Sequence, residues 1–206
     1  MSTNLGSDHW DHRYGDAGND FVFGTAPNDF LAACVEHLPA GAALCLAEGE
    51  GRNAVYLAER GHTVTAVDQS SVGLAKAQRL AKQRDVALTT ATADLADYDI
   101  EAGWWGLIVS IFCHLPRALR REVYGRVAAG LRPGGTIVLE AYSPRQVEFR
   151  TGGPVKSPEL LVPIDNVRHE FPGIVWDIAH EIERDVVEGN GHTGRAAVVQ
   201  LCGRRV

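Results

Sequence analysis

Short apolar runs alternate with stretches of helical period along most of this 206-residue chain. Ala42–Glu48, His62–Asp68, Val86–Asp94, Trp105–Phe112 and Thr136–Tyr142 are apolar and largely β-branched, and turn residues bound them, so each reads as a strand. Helical spacing of apolar positions fills the gaps. One helix is predicted from Asp29 to His37 with Asn28 as its cap, another from Arg52 to Arg60 with Gly61 as its stop. A third starts at Ser70 or Ser71 and runs to about Arg84, and a fourth spans Pro116–Gly130. Strict alternation of this kind predicts an α/β fold: a doubly wound, mostly parallel sheet with helices on both faces. Arg132-Pro133-Gly134-Gly135 reads as a turn before the fifth strand.

The rhythm changes at both ends. Residues 143–165 are rich in proline and glycine. Ile174–Val187 and Ala196–Cys202 then form two strand-like segments joined by the turn-forming residues 188–194. That is a long antiparallel hairpin, suited to the edge of an otherwise parallel sheet. Residues 1–24 show neither a strand nor a helix pattern but carry Trp10, Tyr14, Phe21 and Phe23. So many aromatics favour an arm that packs over a site rather than a tail. The whole length, 1–206, fits a single domain.

Composition narrows the function classes. A formal net charge of −6 without a basic stripe argues against nucleic acid or an anionic membrane as partner. Cys34, Cys45, Cys113 and Cys202 are scattered, which fits free thiols in a reducing, cytoplasmic setting. No apolar run approaches the ~18–20 residues of a membrane span, and the histidines lack metal-ligand spacing, so no metal is expected.

The chemistry concentrates at the strand ends. Gly49 and Gly51 follow the first strand and precede a helix, allowing positive φ and a close ligand approach where free helix N–H groups converge. Three successive strands end in Glu48, Asp68 and Asp94, at the rim where an open α/β sheet binds its ligand. Asp68 stands 17 positions after Gly51, where a carboxylate can hold both hydroxyls of a ribose; capping of the next helix, with Ser70, is the structural alternative. Gly49-Glu50-Gly51-Arg52-Asn53-Ala54 fits GxGxxA, but Glu48 and Glu50 would repel a diphosphate by several kcal/mol at short range. Ammonium and sulfonium charge suits them better, which points to S-adenosylmethionine and away from NAD.

Leu44–Ala54, Ala66-Val67-Asp68, Ala93-Asp94-Leu95 and Leu131-Arg132-Pro133-Gly134-Gly135 resemble the ordered motifs of class I S-adenosylmethionine-dependent methyltransferases. More narrowly, the chain is similar to the small tellurite-resistance-type subgroup. The carriers are Trp10-Asp11-His12-Arg13-Tyr14, Phe23-Gly24-Thr25-Ala26-Pro27-Asn28, Ala47–Asn53, His114-Leu115-Pro116, and Glu188-Gly189 through His192, Gly194 and Arg195. The resemblance implies a Rossmann-like methyltransferase fold, S-adenosylmethionine as cofactor, and methyl transfer to a small soluble acceptor: a thiol, a chalcogen oxyanion such as tellurite, or a small metabolite. It assigns the Glu48-Gly49-Glu50-Gly51 loop and Asn53 to the amino-acid and ribose part of the cofactor. Asp68 goes to the ribose hydroxyls, Gln69 to the side of the adenine, and Asp94 with the Leu95 N–H to the adenine edge. Ser110 and Ile111 would line the methionine end, and Arg13 or Tyr14 would meet the cofactor carboxylate. Cys45, Ala47 and Gly106 depart from the broad family, which usually has an acidic residue, a glycine and an aspartate there.

Methyl transfer leaves little for the protein beyond in-line positioning and desolvation, with a general base only where the acceptor carries a proton. His114 at the rim, and His192 with Arg195 in the hairpin turn, are the candidates for that base or for gripping an anion; helix capping and an exposed turn are their structural alternatives. A Rossmann oxidoreductase using NAD(P) shares the glycine turn and Asp68 but gives Asp94 no role. A non-catalytic cofactor-binding module is a third class. The expected assembly is a monomer or homodimer.

Overall fold

The computed structural model describes residues 6–149, 151–189 and 192–206. Residues 1–5 of the arm and positions 190 and 191 of the hairpin turn lie outside the described residues. In chain order the elements are α1 (Ser7–Asp16), α2 (Asp29–Val35), β1 (Ala42–Leu46), α3 (Arg52–Glu59), β2 (Thr63–Asp68), α4 (Ser71–Gln83), β3 (Thr89–Thr92), β4 (Trp105–Ile111), α5 (Arg117–Gly130) and β5 (Leu131–Tyr142). The short helices α6 (Gln146–Phe149) and α7 (Ile164–Val167) precede the hairpin strands β6 (Ile174–Glu188) and β7 (His192–Arg205).

The strands form one seven-stranded sheet in the order β3-β2-β1-β4-β5-β7-β6. β1 to β5 are parallel, and β7 runs antiparallel between β5 and β6. Chain order reverses between β1 and β4, which opens a crevice outside their carboxyl ends. β1 and β4 are the most buried strands, and apolar clusters cover both faces of the sheet. One cluster gathers Leu44, Ile108 and Leu139 with Val123 and Val127 of α5; the other gathers Ala43, Val109 and Val138 with Leu31 and Leu57.

Three expectations change in detail. The arm contains a helix, α1, with no side-chain cap; docking on α4 supplies what its polar sequence lacks. Arg132–Gly135 is not a break before β5, because Leu131 already pairs with Trp105 and the four residues bulge out before Thr136 meets Leu107. The hairpin is longer than its turn composition suggests: Thr193 pairs with Val187 and Gly194 with Val186. All four cysteines are free. Among the described residues no helix is long and apolar enough to cross a membrane.

Candidate active site

Three residues in the left-handed region turn the chain between β1 and α3: Ala47 at φ 49°, Gly49 at 62° and Gly51 at 92°. The turn brings the first N–H groups of α3 back onto Glu48, whose Oε1 accepts from Asn53 N at 2.9 Å and Ala54 N at 2.8 Å. Gly49 N donates to Asp68 Oδ2 at 2.8 Å, and Ser70 N donates to Asp68 Oδ1 at 2.8 Å, so the loops after β1 and β2 are laced together. The glycines serve packing here rather than ligand approach. A Cβ on Gly49 would stand 2.5 Å from the Tyr14 hydroxyl, and one on Gly51 would stand 2.6 Å from Ala77 Cβ.

A cavity of about 350 Å3 opens above these loops. Eleven of the residues singled out from the sequence line it: Arg13, Tyr14, Glu48, Asn53, Asp68, Gln69, Asp94, Leu95, Ile111, His114 and His192. Gly49, Glu50, Gly51, Ser110 and Arg195 do not. Glu50 is turned to the arm, pairing with Lys76 Nζ at 2.9 Å and accepting from Val22 N at 2.8 Å and Phe23 N at 3.3 Å. Its charge therefore holds residues 22–23 in place and is neutralised by Lys76, so the pair of loop carboxylates expected at the cofactor is Glu48 alone. Arg195 is half exposed and reaches Glu183 at 3.4 Å and Asp185 at 4.0 Å along the hairpin, away from the cavity.

Burial sets the electrostatics. It pushes the Glu48 carboxyl up to about 7, against the opposing pull of the Ala54 N–H and the Arg52 charge. Burial also raises Asp68, despite its backbone donors, and raises Tyr14, where the Asp68 and Glu50 charges add to it. His114 is driven down to about 3 by burial and by His192 beside it, and neither of its ring nitrogens has a hydrogen-bond partner. His192 is lowered by burial in spite of Glu188. Its Nδ1 lies 3.7 Å from Glu188 Oε2, too long for a hydrogen bond and close enough for an ion pair once the ring is protonated. Glu188 itself would be raised by burial, but His192, Arg52 and Asn28 together hold it at about 2.

Residues 43–135 match the family described as Methyltransferase domain. That stretch, from β1 to the start of β5, is similar to a methyltransferase domain. Over 119 residues the chain is 30% identical to a 2-heptyl-1-hydroxyquinolin-4(1H)-one methyltransferase of Mycobacteroides abscessus, a match covering 54% of this chain and 52% of that one. The chain thus spans about half the length of the curated relative it matches. Among solved structures, one from work on the conversion of a disulfide bond into a thioacetal group during echinomycin biosynthesis aligns with a TM-score of 0.78 at 21% identity, over 97% of this chain and 91% of that one. TehB from Haemophilus influenzae aligns with a TM-score of 0.73 at 17% identity, over 96% of this chain and 67% of that one. At these identities the two structures show that the chain shares their fold over nearly its whole length.

Arg52 and Phe112 carried no assigned role in the sequence, and Trp10 and Phe23 only the general one of an arm packing over a site. Arg52 sits inside the glycine motif; its Nη2 pairs with Glu188 Oε2 at 2.5 Å and its Nη1 has no partner. Trp10 and Phe23 line the cavity from the arm, and Phe112 from the end of β4, where φ is 51°. The aromatic residues were visible; their convergence on His192 was not, because it depends on hairpin register.

Proposed function

We propose that this protein transfers a methyl group from S-adenosylmethionine to a small soluble acceptor. One observation carries the choice of cofactor. The leading N–H groups of α3, which a dinucleotide's diphosphate would need, are already taken by Glu48. A diphosphate arriving there would meet a carboxylate, whereas an ammonium or sulfonium would be stabilised by it.

The cavity wall fits such a group in its other parts. Asp68 accepts from the Gly49, Ser70 and Gln69 N–H groups and takes the ribose hydroxyls on its remaining lone pairs, with Gln69 alongside the adenine. Asp94, folded over the Ala96 N–H at 2.9 Å, leaves its second oxygen for the adenine amino group, and the Leu95 N–H lies beside it. The unpartnered Nη1 of Arg52, with Arg13 and Tyr14 from the arm, suits the carboxylate of the methionine part. When bound, S-adenosylmethionine supplies a methyl group on a cationic sulfur that leaves as a neutral thioether. The chain's task is to bind and orient it, to exclude water with the arm, and to present the acceptor in line.

In this reading the protein is cytoplasmic and works as a monomer or homodimer on a small molecule, without nucleic acid. Calorimetric titration with S-adenosylhomocysteine and with NAD(H) tests the assignment. Binding of the first and silence toward the second is expected; the opposite pattern would make this a Rossmann oxidoreductase.

A further inference from the structure

We propose that the methyl acceptor is an uncharged, flat weak acid bearing an aromatic or enolic O–H or an aryl S–H, and that Glu188 is the positioning residue that readies His192 to take its proton. The proposal rests on the methyltransferase reading above and narrows its acceptor.

The cavity wall away from Asp68 and Asp94 is built from the end of β4, the 152–160 segment and the hairpin. Phe112, His114 and His192 present rings to the cavity, and the buried Tyr142 packs against all three. Phe112 stacks on Tyr142 with centroids 4.6 Å apart, and His114 lies nearly parallel to Tyr142 at 5.7 Å. His192 sits between Phe23 at 4.5 Å and Phe112 at 4.7 Å. Flat apolar faces of this kind select planar ligands.

Among the described residues, the cations that line the cavity are Arg13 and Arg52, the pair assigned above to the cofactor's carboxylate, which leaves none for the acceptor. Arg195, the natural grip for a dense oxyanion, faces Glu183 and Asp185. Arg52 pairs with Glu188 through Nη2, and the Arg13 guanidinium lies over Phe23, 5.2 Å from the ring centroid. Both histidines are kept uncharged by burial. An oxyanion entering here would lose its hydration without gaining a paired cation. A neutral acceptor loses far less, and the bare nitrogens of His114 can hydrogen-bond its heteroatom.

A neutral O–H or S–H then needs a base. His192 Nδ1 faces Glu188, which leaves Nε2 as the nitrogen free for a ligand. Glu188 is fixed by Arg52 Nη2 at 2.5 Å, Asn28 Nδ2 at 2.8 Å and Arg184 Nη2 at 3.4 Å, so its position does not depend on His192. The charged or titratable groups facing His192 are Glu188 from β6, Arg52 from α3, Arg13 from α1, His114 after β4 and Tyr142 from β5. Only Glu188 favours the protonated ring. The acceptor O–H or S–H bond breaks and its proton passes to His192 Nε2. The freed electron pair forms the bond to the methyl carbon while the methyl–sulfur bond breaks, its pair remaining on sulfur. The imidazolium closes onto Glu188 until it returns the proton to solvent.

The test is a panel of phenols and thiophenols of graded acidity, with tellurite and selenite as the oxyanion arm, supplied with S-adenosylmethionine and read by mass spectrometry. Wild type should methylate the aromatic weak acids. His192→Gln should lose about 10²-fold or more with acceptors that are neutral at the assay pH, the usual scale of general-base catalysis. Its loss should stay below about tenfold with acceptors already ionised, which need no base. Glu188→Gln should move the acid limb of the pH–rate profile to lower pH, because the ring loses the charge that favours its protonation; thermal melting confirms that this variant is folded. Equal loss across the acidity series for His192→Gln, or turnover of oxyanions in preference to every aromatic acid, overturns the proposal. Failure of wild type to bind S-adenosylhomocysteine would instead remove the methyltransferase reading beneath it.

Discussion

Ala47 occupies a backbone position that favours glycine. Its φ of 49° places a Cβ in the left-handed region, at a cost of about 1–2 kcal/mol for an L-residue. Phe112, at the end of the neighbouring strand, is held at 51°, so the two central strands both carry strain where they meet the cavity. Ala47→Gly relieves one of these, less the entropy a glycine adds to the unfolded chain. A net gain of about 0.5–1 kcal/mol is expected, or a rise of a few degrees in Tm for a domain of this size. A fall in Tm would show that the Ala47 methyl has a packing role exceeding its strain. Glu48 ties stability and binding to pH. Its carboxyl sits near 7 when folded and near 4.5 in the unfolded chain, so the folded state binds the extra proton between those values. Its contribution to stability is therefore full below pH 4.5 and lost as pH rises through about 7. An ammonium placed beside it favours the ionised form. S-adenosylhomocysteine binding near pH 6.5 should release a proton, measured as a buffer-dependent calorimetric enthalpy. Glu48→Gln should abolish that release, weaken binding, and melt no lower than wild type above pH 7.

The arm shows why an element can be invisible in sequence and decisive in structure. Between Ser7 and Asp16 the apolar residues are Trp10 and Tyr14, too narrow a stripe to predict a helix. The helix is held from outside. Asp11 accepts from Ser70 Oγ at 2.5 Å and from Val72 N at 3.3 Å at the start of α4, while Tyr14 fills the space over Gly49 and Gly73. Tyr14 is buried and Trp10 only half so, which separates anchoring from covering. Trp10→Ala should therefore cost under about 1 kcal/mol of stability, as a partly exposed side chain does. It should raise the Kd for S-adenosylhomocysteine severalfold to tenfold or more; an unchanged Kd would mean that the arm does not close on the cofactor. The parallel strands were legible because buried β-branched runs and glycine stops mark them locally. The rim positions of Glu48, Asp68 and Asp94 followed from those ends. What stayed hidden depends on long-range pairing. The glycine-rich residues 188–194 read as a turn, yet strand pairing continues through Thr193 and Gly194 and places Arg195 opposite Asp185, with His192 opposite Glu188. Likewise nothing local says that Glu50 will meet Lys76 in α4 instead of a ligand.

Across the whole molecule, a buried polar network ties the edge hairpin to the cavity. Glu140, fully buried on β5, accepts from Asn28 Nδ2 at 2.5 Å, Gln200 Nε2 at 2.6 Å, and Arg184 Nε and Nη2 at 2.8 and 2.6 Å. Asn28 caps α2 through its Oδ1, donates its N–H to Asn53 Oδ1 at the start of α3, and donates from Nδ2 to Glu188. One carboxylate thus organises β5, β6, β7, α2 and, through Asn28 and Glu188, the Arg52 and His192 side chains of the cavity. The energy of such a pair depends on burial more than on contact geometry. Arg204 and Asp177 make a matching two-bond contact at 2.9 Å on the hairpin surface, where their side chains are 60% and 44% exposed. Water already solvates that pair, so Arg204→Ala should change unfolding free energy by no more than about 1 kcal/mol. Glu140→Ala strips the buried Asn28 and Gln200 amides and the nearly buried Arg184 of their shared acceptor, with a cost of about 3–5 kcal/mol. Urea unfolding of the two variants at pH 7 makes the comparison. A loss at Glu140 no larger than at Arg204 would mean that the network relaxes around its missing carboxylate, and that the hairpin does not hold the cavity wall through it.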